Sequence, residues 1–266
     1  MNARTEPAKA EAEPAAPARP PLIREFLLVA GLFLVYKAGR QLATGHTGDA
    51  FRNARRVWHL ERAAHLPHEN AVQSALLHGD TVVHLANTYY ATVHFPATLA
   101  FLVWLYLRRP AHYVWARRVL ATVTTAALVL PFTFPLAPPR MLTGTGLLDT
   151  ARVYGPSVYG PPSSDHLSNQ FAAMPSLHFG WALMVAVGLI AATRSRRRAL
   201  WLLHPLVTLL VIVGTANHYW LDAVVATAML GLALAVIHPP RRTATTAGLG
   251  TSLPRPREPV LAGAGR

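Results

Sequence analysis

Met174-Pro175-Ser176-Leu177-His178 runs without interruption into the apolar segment Phe179 to Ala192. A proline, a hydroxyl and an imidazole thus stand where a helix of membrane length is expected to begin, which places polar chemistry at the mouth of a bilayer-spanning segment. Pro175 suits the first helical position, and the free N–H groups around Ser176 and Leu177 then form a phosphate cradle at the positive end of the helix dipole. The plainer alternative is that Ser176 is a helix cap and His178 a packed interfacial histidine.

Outward from this stretch, the composition agrees with a membrane protein. The 266 residues are 52% hydrophobic and only 14% charged, with a mean hydropathy of +0.27, too little charge to cover a soluble surface. No cysteine is present, which excludes disulfides, thiolate zinc sites and cysteine nucleophiles. The formal net charge is +13, but the arginines fall in short clusters between apolar runs. That placement fits the positive-inside rule and anionic headgroups, and no nucleic-acid partner is expected.

Along the chain, residues 1–21 are rich in Ala, Pro and Glu and read as a disordered tail. Residues 22–38 form a first span with a short apolar part, Phe26 to Tyr36. A cleaved signal peptide is the competing reading, and the acidic tail ahead of it argues against that. Residues 40–80 carry Arg52, Arg55, Arg56, Trp58, Leu60, Glu61, Arg62 and Leu66 at the spacing of an amphipathic interfacial helix ending near Pro67. Thr81 to Leu107 reads as one long span, or as a short helix followed by a span from about Phe95. Further spans cover Tyr113–Phe134, Pro175–Thr193, Leu200–Thr215 and His218–Ile237, and a Gly/Pro-rich loop covers Met141–Ala173. Residues 239–266 form a second tail. The expected fold is all-α: a polytopic six-transmembrane-helix bundle with an interfacial amphipathic helix, its membrane domain spanning residues 22–238.

The clusters Arg108/Arg109/Arg117/Arg118, Arg194 to Arg198 and Arg241/Arg242 fall on one side of that bundle, together with both termini. The positive-inside rule makes this side cytoplasmic. Arg140, Ser176, His178 and His218 then share the non-cytoplasmic face. Arg52, Arg55, Arg56 and Arg62 lie on that face too, an exception assigned to headgroup contact.

Two further pieces carry chemistry. His218 and Asp222 are four apart, so on one helix they touch; the pair is either a structural hydrogen bond or a carboxylate-oriented catalytic histidine. Arg140 follows the proline-stiffened Pro135-Leu136-Ala137-Pro138-Pro139, and it is either a planar fork for phosphate oxygens or a headgroup anchor. A metal site built from His218, Asp222 and His178 is conceivable, but it leaves Arg140 and the helix-end anion site unexplained.

Pro138-Pro139-Arg140, Met174-Pro175-Ser176-Leu177-His178 and His218-Tyr219-Trp220-Leu221-Asp222 together resemble the type 2 phosphatidic acid phosphatase superfamily of lipid phosphatases and phosphotransferases. More narrowly, they are similar to its inositolphosphorylceramide synthase and inositolphosphotransferase branch, over roughly Leu22 to Pro239. The resemblance implies that His218 attacks phosphorus, Asp222 orients it, His178 moves the proton, and Arg140 and Ser176 hold the phosphate. It also implies a phospholipid or polyprenyl phosphate substrate, with no metal and no cofactor. Tyr90-Ala91-Thr92-Val93-His94-Phe95-Pro96 resembles the same branch and makes His94 a cavity-lining candidate. Two positions depart from the superfamily pattern: Leu177 replaces a glycine, and Ile212 stands where an arginine is usual, with Asn217 or Arg152 as candidate replacements. The runner-up activity is hydrolysis of a lipid or polyprenyl phosphate; a different class is a transporter or non-catalytic membrane scaffold. Oligomeric state is not legible in the sequence.

Overall fold

A computed structural model describes residues 19–42, 47–156 and 171–240 of the chain. The expectations for the two tails lie largely outside these residues, as do Arg241, Arg242 and the middle of the Met141–Ala173 loop. The described residues form ten α-helices, two short 3₁₀ turns and one isolated β-bridge. In chain order the helices are α1 (Leu22–Leu42), α2 (Thr47–Ala63), α3 (Glu69–Leu76), α4 (Asp80–Thr92), α5 (His94–Arg108), α6 (Pro110–Thr133), α7 (Thr150–Tyr154), α8 (Leu177–Ala192), α9 (Leu203–Gly214) and α10 (Trp220–Val236).

Six uninterrupted spans are not what the backbone shows. Among the described residues, α6 is the helix that is long and apolar enough to cross a membrane alone, and α4 with α5 passes only as a pair bent by 49°. The bend has a local cause. Pro96 would drive its ring into the carbonyl of Thr92, four residues earlier, and Thr92 is where α4 stops. The apolar helices α8 and α10 are shorter, at 16 and 17 residues, because the polar motifs at their N-termini are spent in caps and turns. Pro175 stands outside α8 rather than at its first position, since Ser176 is the N-cap. Likewise α10 starts at Trp220, so His218 precedes it.

Four helices close the main core. Leu105 of α5, Val119 of α6, Met184 of α8 and Leu230 of α10 are buried together. Gly188 lets α5 and α8 approach: a Cβ there would stand 2.3 Å from Phe101 Cζ. The α1 helix joins through Glu25, which accepts from Tyr113 Oη at 2.7 Å and pairs with Arg117. On the outside, Leu99, Leu232 and Val236 are 60%, 70% and 78% exposed, part of a wide apolar surface.

The amphipathic helix expected to end near Pro67 is α2, which stops at Ala63 ahead of a turn at His65 with φ 55°, and α3 follows it. Its buried face is Ala50, Asn53, Ala54, Val57 and Glu61. Arg52, Arg55 and Arg56 point outward, as an interfacial helix requires. Arg62 departs from that reading: it turns inward to Glu69 at 2.9 Å and stacks on Trp58 at 4.7 Å.

Candidate active site

Three loops meet at one end of the helices, joined mainly by backbone hydrogen bonds. Leu136 N–H donates to Phe171 O at 2.7 Å and Ala173 N–H to Leu136 O at 3.2 Å, which draws the Pro-rich stretch alongside the start of the Met174–His178 motif. Arg140 N–H donates to Ala216 O at 2.9 Å, fastening it to the turn before α10, and Ser176 N–H donates to Asp222 O at 3.2 Å, in the first turn of α10. In that turn Ala216 takes φ 54°, a left-handed conformation unusual for alanine, and Asn217 and His218 both donate their N–H to Ile212 O.

His218 and Asp222 meet as expected, but not as neighbours on one helical face. Tyr219 is the N-cap of α10 and Asp222 its third residue. Asp222 Oδ2 accepts from Tyr219 N–H at 2.9 Å and stands 3.1 Å from His218 Nδ1. Ala173 O stands 2.8 Å from the same nitrogen. Two acceptors at Nδ1 assign the proton to that atom and leave Nε2 with its lone pair. Both side chains are buried, Asp222 fully.

His178 occupies the first turn of α8, with its ring centroid 6.1 Å from that of His218. Tyr90 stacks on the His178 ring at 4.4 Å. His94 is brought to the same place, 4.5 Å from His178 and 4.9 Å from Trp181. Tyr90 near the end of α4 and His94 at the start of α5 thus flank the bend and both reach His178.

Arg140 lies in a 3₁₀ turn, Pro139–Met141, and its side chain is only 4% exposed. Its guanidinium donates through Nη1 to Asn217 Oδ1, while Nε stands 3.5 Å from Asp149 Oδ2. Asn217 also donates to Thr215 Oγ1 at 2.8 Å. Its amide is therefore built into the wall that aims Arg140. Ile212 itself is fully buried among Val211, Val213 and Phe179. Arg152 is exposed on α7, and Asp149, not Arg152, faces Arg140.

Ser176 is fully buried, and its Oγ accepts from Phe179 N–H at 3.4 Å as the cap of α8. Among the described residues, no group of three or more histidine, aspartate or glutamate side chains is arranged to hold a metal ion. That applies to His218, Asp222 and His178.

Several contributors escape the sequence. Ala173 acts through its carbonyl, which no residue type encodes. Tyr90 sits four residues before His94, a spacing that a continuous α4–α5 helix would have made visible and the bend obscures. Asp149 belongs to a loop without periodicity. Glu61 reads as one acid among arginines on a surface helix, yet it is fully buried and accepts from Leu221 N–H at 2.8 Å.

The family model described as PAP2 superfamily matches residues 55–236, an interval containing all three motifs and His94. No curated protein and no solved structure shows a significant match.

Proposed function

The chain belongs to the PAP2 superfamily, whose members are phosphatases and phosphotransferases, and from this premise we propose that it is a membrane lipid phosphotransferase working through a phosphohistidine. The observation that carries the proposal is the state of His218: Nδ1 stands within hydrogen-bond distance of both Ala173 O and Asp222 Oδ2, so the open lone pair is on Nε2, and the His178 ring lies 6.1 Å away, centroid to centroid.

In this reading Nε2 of His218 attacks phosphorus as the bond to the leaving oxygen breaks, and His178 protonates that oxygen. His178 then takes the proton of an incoming alcohol, whose oxygen displaces the Nε2–phosphorus bond. Arg140 pairs with the non-bridging oxygens, aimed by Asn217, and the α8 N-terminus capped by Ser176 adds a favourable dipole. The Asp222 carboxylate stabilises the positive charge His218 acquires. Neither metal nor cofactor takes part. The donor is a phospholipid or polyprenyl phosphate and the preferred acceptor an alcohol, as in the inositolphosphotransferase-like branch; water as acceptor gives the phosphatase alternative.

The large apolar side chains exposed along α1, α5 and α10 support a membrane setting, where lipid would cover them. Segments 22–238 then form one multi-pass domain in the plasma membrane. The helix ends carrying Arg108, Arg109 and Arg194 to Arg198 face the cytoplasm with both termini, and the site opens on the other face.

Purified protein in detergent, given chelator, a labelled lipid donor and candidate alcohols, should yield a new phosphodiester lipid. Release of free phosphate alone, whatever alcohol is added, assigns the phosphatase activity instead. Turnover that survives His218→Ala removes the proposed nucleophile.

A further inference from the structure

The buried side-chain atoms without a partner, among the described residues, are Glu61 Oε2, Glu69 Oε1, Asp222 Oδ1 and Arg62 Nε. All four belong to one cluster beneath the His218 turn. Glu61 of α2 reaches the first turn of α10, where Oε1 accepts from Leu221 N–H at 2.8 Å. The carboxyl of Glu69, at the start of α3, is held beside it by one guanidinium, which lies within 3.9 Å of both. Glu69 Oε2 in turn accepts from Arg62 Nη1 at 2.9 Å, while Arg62 stands 3.9 Å from Glu61.

Two fully buried carboxylates served by one arginine leave two acceptor atoms, Glu61 Oε2 and Glu69 Oε1, with nothing to accept. One proton resolves this. Placed on Glu61 Oε2, it donates to Glu69 Oε1, gives both orphaned oxygens a partner and leaves the Glu69–Arg62 pair neutral. We propose that Glu61 and Glu69 share one proton beneath the His218–Asp222 couple, and that protonated Glu61 is a positioning residue which holds the first turn of α10 without adding negative charge beside Asp222.

The surroundings agree from every side that faces Glu61. Arg62 comes from α2 itself, His68 from the α2–α3 turn at 3.2 Å from Arg62 Nη1, Glu69 from α3, and Tyr219 and Asp222 with its partner His218 from the start of α10. Burial first, then Glu69 and Asp222, push the Glu61 carboxyl from an ordinary 4.5 up to about 9. The sign follows from linkage. A carboxyl that binds its proton more tightly in the folded state contributes stability below its unfolded value, and that contribution is lost as pH rises toward the folded value.

The shared proton stands apart from the proposed activity, but its effect on His218 rests on that activity, so two kinds of readout are needed. Glu61→Gln keeps the acceptor for Leu221 and supplies a permanent N–H donor to Glu69. In detergent, the infrared spectrum at pH 7 should show a buried carboxylic-acid C=O band that Glu61→Gln abolishes. The Tm of Glu61→Gln should gain on wild type as pH rises from about 4.5 toward about 9 and level above. With labelled lipid donor, Glu61→Gln should rescue neutral-pH turnover that Glu61→Ala loses. Wild type alone should then lose activity above about pH 9, by about tenfold per pH unit. A wild-type spectrum without the band, or a Tm difference independent of pH, overturns the shared proton. An alkaline limb identical in wild type and Glu61→Gln overturns the positioning role. If no variant turns over any donor, the proposed function fails while the band and the Tm still decide the proton.

Discussion

Asp222 carries two tasks with one oxygen, capping α10 through Tyr219 N–H and facing His218 Nδ1. The tasks separate by substitution. Asp222→Asn keeps an oxygen for the cap but removes the charge that stabilises an imidazolium, so kcat should fall by about 10²–10⁴ with little change in Tm. Asp222→Ala should match that loss and also cost about 1 kcal/mol of stability through the missing cap, read from a denaturation midpoint. At Arg140, Asn217→Ala removes the acceptor that aims the guanidinium; KM for the lipid donor should rise by about tenfold, the equivalent of about 1.4 kcal/mol, with kcat less affected. At this scale much was legible: the three motifs converge, and His94 joins them. The His218–Asp222 contact was legible for the wrong reason, because a residue just before an N-cap and the third helical residue meet as readily as two residues on one helical face. Ser176 as a cap was also open from the start, since hydroxyls at helix starts serve caps and anions alike.

Between elements, close approach decides the arrangement. α5 and α8 touch where Gly188 faces the Phe101 ring, and Gly188→Ala should destabilise by about 1–3 kcal/mol through overpacking, seen as a lowered Tm. The apolar runs predicted helices because period and length survive in a single sequence. Their ends did not, because Pro175, Ser176 and the Gly214–Tyr219 turn spend residues on caps that hydropathy counts as span. The bend before Pro96 was foreseeable in kind, since proline excludes the i−4 carbonyl, and of the two readings of residues 81–107 the structure follows the short helix with a second helix starting near Phe95, not the one long span. The buried face of α2 was invisible for a different reason. Ala50, Asn53, Ala54 and Glu61 are small or polar, so the helix looks amphipathic toward solvent while its function-bearing side faces the site.

For the whole molecule, the exposed apolar exterior and the arginine clusters at the helix ends opposite the site predict an orientation. The absence of native cysteine makes that orientation directly measurable, since any introduced thiol is unique. Thr143→Cys, exposed near the site, should react in intact cells with a membrane-impermeant maleimide, and Ser195→Cys only after permeabilisation. The reverse pattern would turn the site toward the cytoplasm. Whether donor phosphorus passes through His218 is the question on which the rest depends. The most direct measurement is a rapid quench in alkali after mixing enzyme with phosphorus-labelled lipid donor. The account predicts label on the chain that is alkali-stable, acid-labile and lost in His218→Ala. Turnover of donor with no protein-bound phosphorus, or label that persists in His218→Ala, would contradict it.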